Sequence, residues 1–246
     1  MATTSAGGLT TCSGGVLLVC IEGISAGGKH TQSTMLKADL ESAGYGVVLL
    51  SYPDYSSYYG RHIKSFLDGE IKLDVKEQFL IYMIDMVKDL PTVLQALQDG
   101  KFIITDRYWP STLAYQATGG LDYEAAKQME LLIGMPKPAI LFYIDTPTGV
   151  VDERKQKQNA KLDIFERDIP RLELIRRGFN RVMSDESLSL NCVRIDGRLT
   201  IEAIHATIKR EVDNLVEKRL IELHRVDTGS EQQEQKIRSM CTGMQT

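Results

Sequence analysis

Residues 16–31 read Val-Leu-Leu-Val-Cys-Ile-Glu-Gly-Ile-Ser-Ala-Gly-Gly-Lys-His-Thr. An apolar run, Val16 to Ile21, reads as a buried strand. It meets Gly23, passes four residues, reaches Gly28-Lys29 and enters a helical pattern carried by Leu36, Leu40 and Ala43. Strand, glycine-rich turn and helix in that order make a phosphate-binding loop. Backbone N–H groups of such a turn converge on an anion, and the helix N-terminus behind it adds positive potential. Lys29 is placed to reach the outer phosphates of a nucleoside triphosphate. One position departs from the pattern: His30 stands where a Ser or Thr hydroxyl normally meets Mg²⁺.

Outward from this loop the chain alternates. Short runs rich in Val, Ile and Leu at 16–22, 46–52, 101–105, 139–145 and 191–195 read as strands. Helical patterns fill the intervals at 29–44, 57–68, 73–98, 110–117, 122–133, 147–157, 168–185 and 199–223, with Gly100 and Gly134 marking helix ends. Buried strands separated by helices predict an α/β fold with a parallel sheet covered on both faces.

Composition narrows the function classes. The 246 residues are 43% hydrophobic and 25% charged, enough for one α/β domain with loose ends. A net charge of −4 gives no electrostatic case for nucleic acid or an acidic membrane surface. No apolar run approaches the roughly 18 residues of a membrane span. Cys12, Cys20, Cys192 and Cys241 show no CxxC spacing, which argues against zinc or a disulfide framework and for a reducing compartment. Residues 1–14 lack the charge and apolar core of a leader and read as a disordered arm; the polar stretch 224–246 reads as a disordered tail. The expected domain is 15–223, in the cytoplasm or nucleus.

A second cluster lies at the end of the third strand, Thr105-Asp106-Arg107-Tyr108. Ligands of parallel α/β sheets bind beyond the carboxyl ends of strands. There an Arg clamps phosphate and an Asp orients Mg²⁺ or its waters; the alternative is an ordinary Asp–Arg loop pair. The charged stretch 152–167 has two readings as well, a solvated helix face or a mobile lid that carries cations over a phosphate chain.

Five blocks carry a resemblance: Ile-Glu-Gly-x₅-Lys-x-Thr-Gln at 21–32, Tyr-Pro-Asp-Tyr at 52–55, Asp-Arg-Tyr-x₂-Ser-Thr-x-Ala-Tyr-Gln at 106–116, Lys-Pro-x₃-Phe-x₂-Asp at 137–145, and Asp-x-Phe-Glu at 163–166. In order and spacing, over roughly 14–215, they resemble the thymidylate kinases. The resemblance implies a P-loop kinase fold with a five-stranded parallel sheet flanked by helices and a small lid at about 152–167. It also implies transfer of the ATP γ-phosphoryl group to dTMP with Mg²⁺, and a homodimer.

Site residues follow from the same resemblance. Gly23, Ser25, Ala26, Gly27, Gly28, Lys29, His30 and Thr31 would hold ATP. Lys29 bridges the outer phosphates, Arg107 holds the acceptor phosphate, and Asp106 positions Mg²⁺ or its waters. Arg154 reaches over from the lid, with Lys157 as the alternative. Tyr55, Leu67, Tyr82, Met86, Ser111, Thr112, Tyr115 and Gln116 would line the acceptor pocket. Tyr82 would stack on the base and Tyr115 would crowd the sugar 2′ position. Tyr82 has a competing reading as a core aromatic on one face with Phe79, Met83 and Met86.

The chain departs from the family pattern in three places. His30 replaces the metal-binding hydroxyl, and Thr31, one residue on, is expected to face away. Ser25 stands where the family has an Asp. Met86 stands where an Arg meets the thymine carbonyl, and an unpaired polar edge there costs on the order of 1–3 kcal/mol. These departures keep three readings open: a dTMP kinase, a kinase for another deoxynucleoside monophosphate, and a nucleotide-binding protein with weakened catalysis.

Overall fold

The computed structural model describes residues 17–159, 161–189 and 191–218. The arm at 1–14, the tail at 224–246, the end of the last expected helix, and Cys12 and Cys241 lie outside them. Five parallel strands form one sheet in the order β2-β3-β1-β4-β5: β1 (Leu18–Glu22), β2 (Val47–Ser51), β3 (Phe102–Asp106), β4 (Ile140–Asp145) and β5 (Cys192–Asp196). Nine helices accompany it among the described residues: α1 (Lys29–Ser42), α2 (Tyr58–Asp68), α3 (Val75–Val87), α4 (Leu90–Gln98), α5 (Trp109–Ala117), α6 (Tyr123–Ile133), α7 (Thr148–Gln158), α8 (Ile169–Ser184) and α9 (201–218). The expected strand ends shift by one or two residues, and β3 runs one residue further, to Asp106.

Because side chains alternate along a strand, each strand feeds two cores. Leu18 and Cys20 of β1 and Leu141 and Tyr143 of β4 pack under α2, α3, α5, α6 and α8. Val19 and Ile21 of β1, with Ile140, Phe142 and Ile144 of β4, meet Leu36 and Leu40 of α1 and Ile204, Ile208 and Val212 of α9. The sheet is thus apolar on both faces, as a parallel sheet requires. Cys20 and Cys192 are free thiols.

One expected helix is two. The pattern at 73–98 breaks at Lys88-Asp89, and α4 begins with Pro91 in its first turn. Proline has no N–H to continue the ladder and is tolerated only at a helix start. The break turns charge toward the loop after β2. Lys88 Nζ lies 3.3 Å from Asp54, 3.3 Å from Asp85 and 2.7 Å from Asp89. Asp85, which is buried, accepts hydrogen bonds from the Asp54 N–H at 2.8 Å and the Ser57 hydroxyl at 2.7 Å. This network pins loop 52–57, and Tyr55 with it, over the carboxyl end of the sheet.

Register sets the site. Ile21 of β1 pairs with Asp106 of β3, so the two strands end level and the loop after β1 lies beside Arg107. The Arg107 N–H continues the ladder to the Ile21 carbonyl at 3.0 Å.

The second core makes α9 part of the domain. Ile208→Ala is expected to lower unfolding free energy by about 2–5 kcal/mol, the usual cost of truncating a buried Ile. Ile201→Ala, at a half-exposed position of the same helix, should change it by less than about 0.5 kcal/mol. Urea unfolding of both variants checks the pair. Equal, small effects would mean α9 is not part of the cooperative unit.

Candidate active site

The loop after β1 is shaped by backbone constraints. Gly23 has φ 150°, and a Cβ there would stand 2.8 Å from the Ile144 carbonyl oxygen. Gly28, at φ 90°, caps α1 with no side-chain hydrogen bond. The first-turn amides of α1 are therefore left without a capping side chain, and an anion is the natural partner for such amides. Lys29 is buried and its ammonium donates to the Ile24 carbonyl at 2.8 Å. Burial, then the neighbouring Arg107, lowers its pKa to about 7, against the pull of Asp106, Glu22 and Glu166.

Across from it stands Arg107, a non-glycine residue at φ 65°. That left-handed backbone is strained. It lets the guanidinium donate to the Gly23 carbonyl at 2.7 Å and lie 5.3 Å from the centre of the Tyr115 ring. Underneath is Glu22, which has no exposed surface. Strand alternation points it to the same side as Cys20, into the layer that holds α5. Its carboxylate accepts the Tyr108 N–H at 2.9 Å and the Ser111 hydroxyl. Burial raises its pKa, while Ser111, Arg107, the Tyr108 N–H and Lys29 partly offset the shift.

These groups open into one cavity of about 480 Å³. Ser25, Ala26, Gly28, Lys29, His30 and Thr31 line one part. Asp106, Arg107 and Ser111 line another, and Tyr55, Leu67, Tyr82, Met86, Thr112, Tyr115 and Gln116 belong to the wall beyond them. Gly23 and Gly27 shape the loop from behind that lining. Tyr82 lines the cavity while Phe79 and Met83 are buried, so the two readings of that helix face divide among its residues. Thr31 was expected to face away, yet it lines the cavity beside His30, because both lie in the first turn of α1 at the mouth.

Arg154 does not line the cavity. It donates to the Ala26 carbonyl at 3.2 Å and the Gly197 carbonyl at 2.8 Å, behind the loop. Lys155 pairs with Glu166 at 2.7 Å, and Lys157 is exposed. From the stretch after α7 it is instead Asp163, Phe165 and Glu166 that reach the cavity. Burial raises the pKa of Asp163, with the nearby Glu166 adding to it. Burial would raise that of Glu166 too, but Lys155, Ser25 and the Asp163 N–H bring it below the usual range.

Sequence reading assigned no role to Glu22, Asp163 or Glu166. The available signal was a carboxylate closing an otherwise apolar strand, and two acids flanking an aromatic in a charged segment.

A metal site can be assessed from the donors. Asp106 offers a carboxylate at the mouth, with His30 Nδ1 3.7 Å away, and Thr31, one residue on, lines the same cavity. Among the described residues no three His, Cys, Asp or Glu side chains converge to hold an ion. One carboxylate, with the remaining positions left to phosphate oxygens and water, fits Mg²⁺, which is seldom caged by protein alone.

The thymidylate kinase family profile matches residues 21–208. A thymidylate kinase of Leptospira borgpetersenii is 32% identical over 182 residues, covering 74% of this chain and 85% of the relative. A probable thymidylate kinase of Archaeoglobus fulgidus is 31% identical over 194 residues, 76% of this chain and 95% of the relative. A thymidylate kinase of Danio rerio is 26% identical over 209 residues, 84% of this chain and 93% of the relative.

The lowered pKa of Lys29 has a measurable consequence. A polyphosphate favours the ammonium form, whereas the free site gives up that proton above pH of about 7. Above that pH, ATP binding must draw a proton from solution, and apparent affinity should fall about tenfold per pH unit. Calorimetry at pH 8, in buffers of different ionisation heat, should show uptake of close to one proton, lost in Lys29→Met. No uptake would mean Lys29 is already charged in the free protein.

Proposed function

Because the chain belongs to the thymidylate kinase family, we propose that this cavity is where it transfers the γ-phosphoryl group of ATP to dTMP, giving ADP and dTDP. The observation that carries the reading is the convergence of buried Lys29 and half-buried Arg107 with the uncapped N-terminus of α1 in one cavity whose far wall is apolar and aromatic. Cations that repel each other when the site is empty are stabilised by the phosphates of two nucleotides. The apolar wall suits a base.

Phosphoryl transfer requires little covalent chemistry from the protein; positioning and charge neutralisation carry most of the rate. The loop amides and Lys29 hold the donor, and Lys29 follows charge as it moves to the leaving bridging oxygen. Arg107, tied to the Gly23 carbonyl, lines up the acceptor phosphate oxygen for attack. Glu22 keeps Arg107 and the start of α5 in place and does not meet the reacting atoms. Asp106 would hold Mg²⁺ directly or through water. When bound, the ion neutralises donor phosphate charge and fixes its geometry. Tyr82 stacks on the base, and Tyr115 closes the space at the sugar 2′ position.

The lid read at about 152–167 would carry Asp163 and Glu166 at the cavity, and Arg154 from the same segment donates to the Ala26 carbonyl of the phosphate loop. Lys29, Asp106 and Arg107 assembled around one cavity favour a working kinase over a degenerate nucleotide binder. No helix among the described residues is long and apolar enough to cross a membrane. Exposed Leu80 and Ile84 on α3, with Met129, Leu131 and Leu132 on α6, offer apolar surface for pairing two copies.

Lys29→Ala and Arg107→Ala should each lower turnover of dTMP by at least about 100-fold, since each faces transferring charge. ADP release with ATP, Mg²⁺ and dTMP measures this, and unchanged turnover in both would remove the mechanism. Tyr115→Ala should narrow the preference for dTMP over its ribose counterpart by about tenfold or more. An unchanged preference would place the sugar gate elsewhere.

A further inference from the structure

Gln116, in the last turn of α5, is 2% exposed and lines the cavity. Its Oε1 is buried and has no hydrogen-bond partner among the described residues. Buried amide oxygens are ordinarily paired, and it is that pairing which fixes which end of an amide faces outward. Here nothing on the protein fixes it. A half-turn about the last side-chain bond exchanges Oε1 and Nε2 with no protein hydrogen bond lost. The cavity therefore meets either an acceptor or a donor at this point.

The other polar groups along the wall leave that choice open. Thr112 is occupied, its hydroxyl 2.6 Å from the Trp109 carbonyl and 3.0 Å from Glu130. The Ser111 hydroxyl is held by Glu22. Met86 offers a thioether, which donates nothing. The hydroxyls of Tyr82 and Tyr115 can donate or accept. The basic side chains lining the cavity are Lys29 and Arg107, with the His30 imidazole beside them, all at the phosphate loop or the end of β3. Tyr52 is held by Asp89, Asp163 by the Phe165 and Glu166 N–H groups and Glu166 by Lys155, while the hydroxyls of Ser51 and Tyr108 can donate or accept. Among the described residues, then, nothing of fixed hydrogen-bonding sense is left to read position 4 of a pyrimidine, where uracil and thymine carry a carbonyl and cytosine an amino group.

We propose that the site accepts 4-amino as well as 4-keto pyrimidines, so that the protein phosphorylates dCMP alongside dUMP and dTMP. In the reaction a phosphate oxygen of dCMP forms the new bond to the γ-phosphorus of ATP. The bond from that phosphorus to the β–γ bridging oxygen breaks, the electron pair leaves with ADP, and the product is dCDP. For thymine or uracil, Gln116 turns Oε1 outward to accept from N3–H; for cytosine it turns Nε2 outward to donate to N3. This inference rests on reading the cavity as the acceptor site.

The test compares dUMP with dCMP, which share a sugar, a phosphate and an unsubstituted C5 and differ only in the 3,4 edge. A site with a fixed reader rejects the wrong edge by about 10⁴–10⁵. With the amide free to turn, kcat/KM for the two should agree within about tenfold. Gln116→Met should lower both by about tenfold and by the same factor, since a net hydrogen bond is removed from each. A preference for dUMP beyond about 1,000-fold, with dTMP and dUMP both turned over, would overturn the proposal. So would a Gln116→Met effect confined to dUMP. Failure to phosphorylate dTMP would instead count against the acceptor-site reading; calorimetric binding of dUMP and dCMP to the same protein then decides the base inference, equal affinities supporting it and binding of dUMP alone refuting it.

Discussion

The buried carboxylate of Glu22 organises the site. A strand that is apolar from Leu18 to Ile21 ends in an acid with no solvent contact. Leaving such a group unpaired would cost several kcal/mol. It is instead met by the Tyr108 N–H, by the Ser111 hydroxyl and by the fields of Arg107 and Lys29. Those four groups come from the end of β3, the start of α5 and the phosphate loop. Satisfying one carboxylate thus fixes the three segments that surround the reacting phosphates. Removing Glu22 would leave two cations facing each other in a buried site, so the cost would fall on geometry as much as on stability.

The strained elements are gathered around the same point. Gly23 is admitted only because no side chain stands against the Ile144 carbonyl, and Arg107 holds a left-handed backbone while its guanidinium ties back to the Gly23 carbonyl. Each strained residue is held by a contact with the other's segment. The lowered pKa of Lys29 belongs to this arrangement, as burial beside a second cation leaves it poised to lose its proton when no phosphate is present.

The strands were legible in the sequence because each is a short apolar run, and in a parallel sheet both faces are buried. Lys29 and Arg107 were legible because glycine spacing and strand ends locate them without tertiary information. The break before Pro91 was also written in the chain, but the continuous apolar periodicity across 73–98 outweighed one residue. Glu22 was different. Which core it enters depends on strand alternation, and its value depends on α5 docking above it, both non-local. Arg154 was placed in the lid by its segment, yet its partners, the Ala26 and Gly197 carbonyls, lie 128 and 43 residues away. Long flexible cations are located by whichever carbonyls the fold presents, and sequence spacing does not carry that.

The substitution at Ser25 takes a different meaning once Glu166 is in view. Glu166 comes from the stretch after α7, is nearly fully buried, pairs with Lys155 at 2.7 Å and lies near enough to Ser25 for that hydroxyl to help lower its pKa. A hydroxyl can donate to that carboxylate; an Asp at the same place would set two negative charges against each other in a partly desolvated site, and one would have to take up a proton. Ser25 and Glu166 are therefore compatible in a way that Asp and Glu at these positions, without a cation between them, are not. The negative charge near the phosphate loop is supplied by the stretch after α7, not by the loop. The segment 154–166 thus meets the phosphate loop at two adjacent residues, through Glu166 beside Ser25 and through Arg154 on the Ala26 carbonyl.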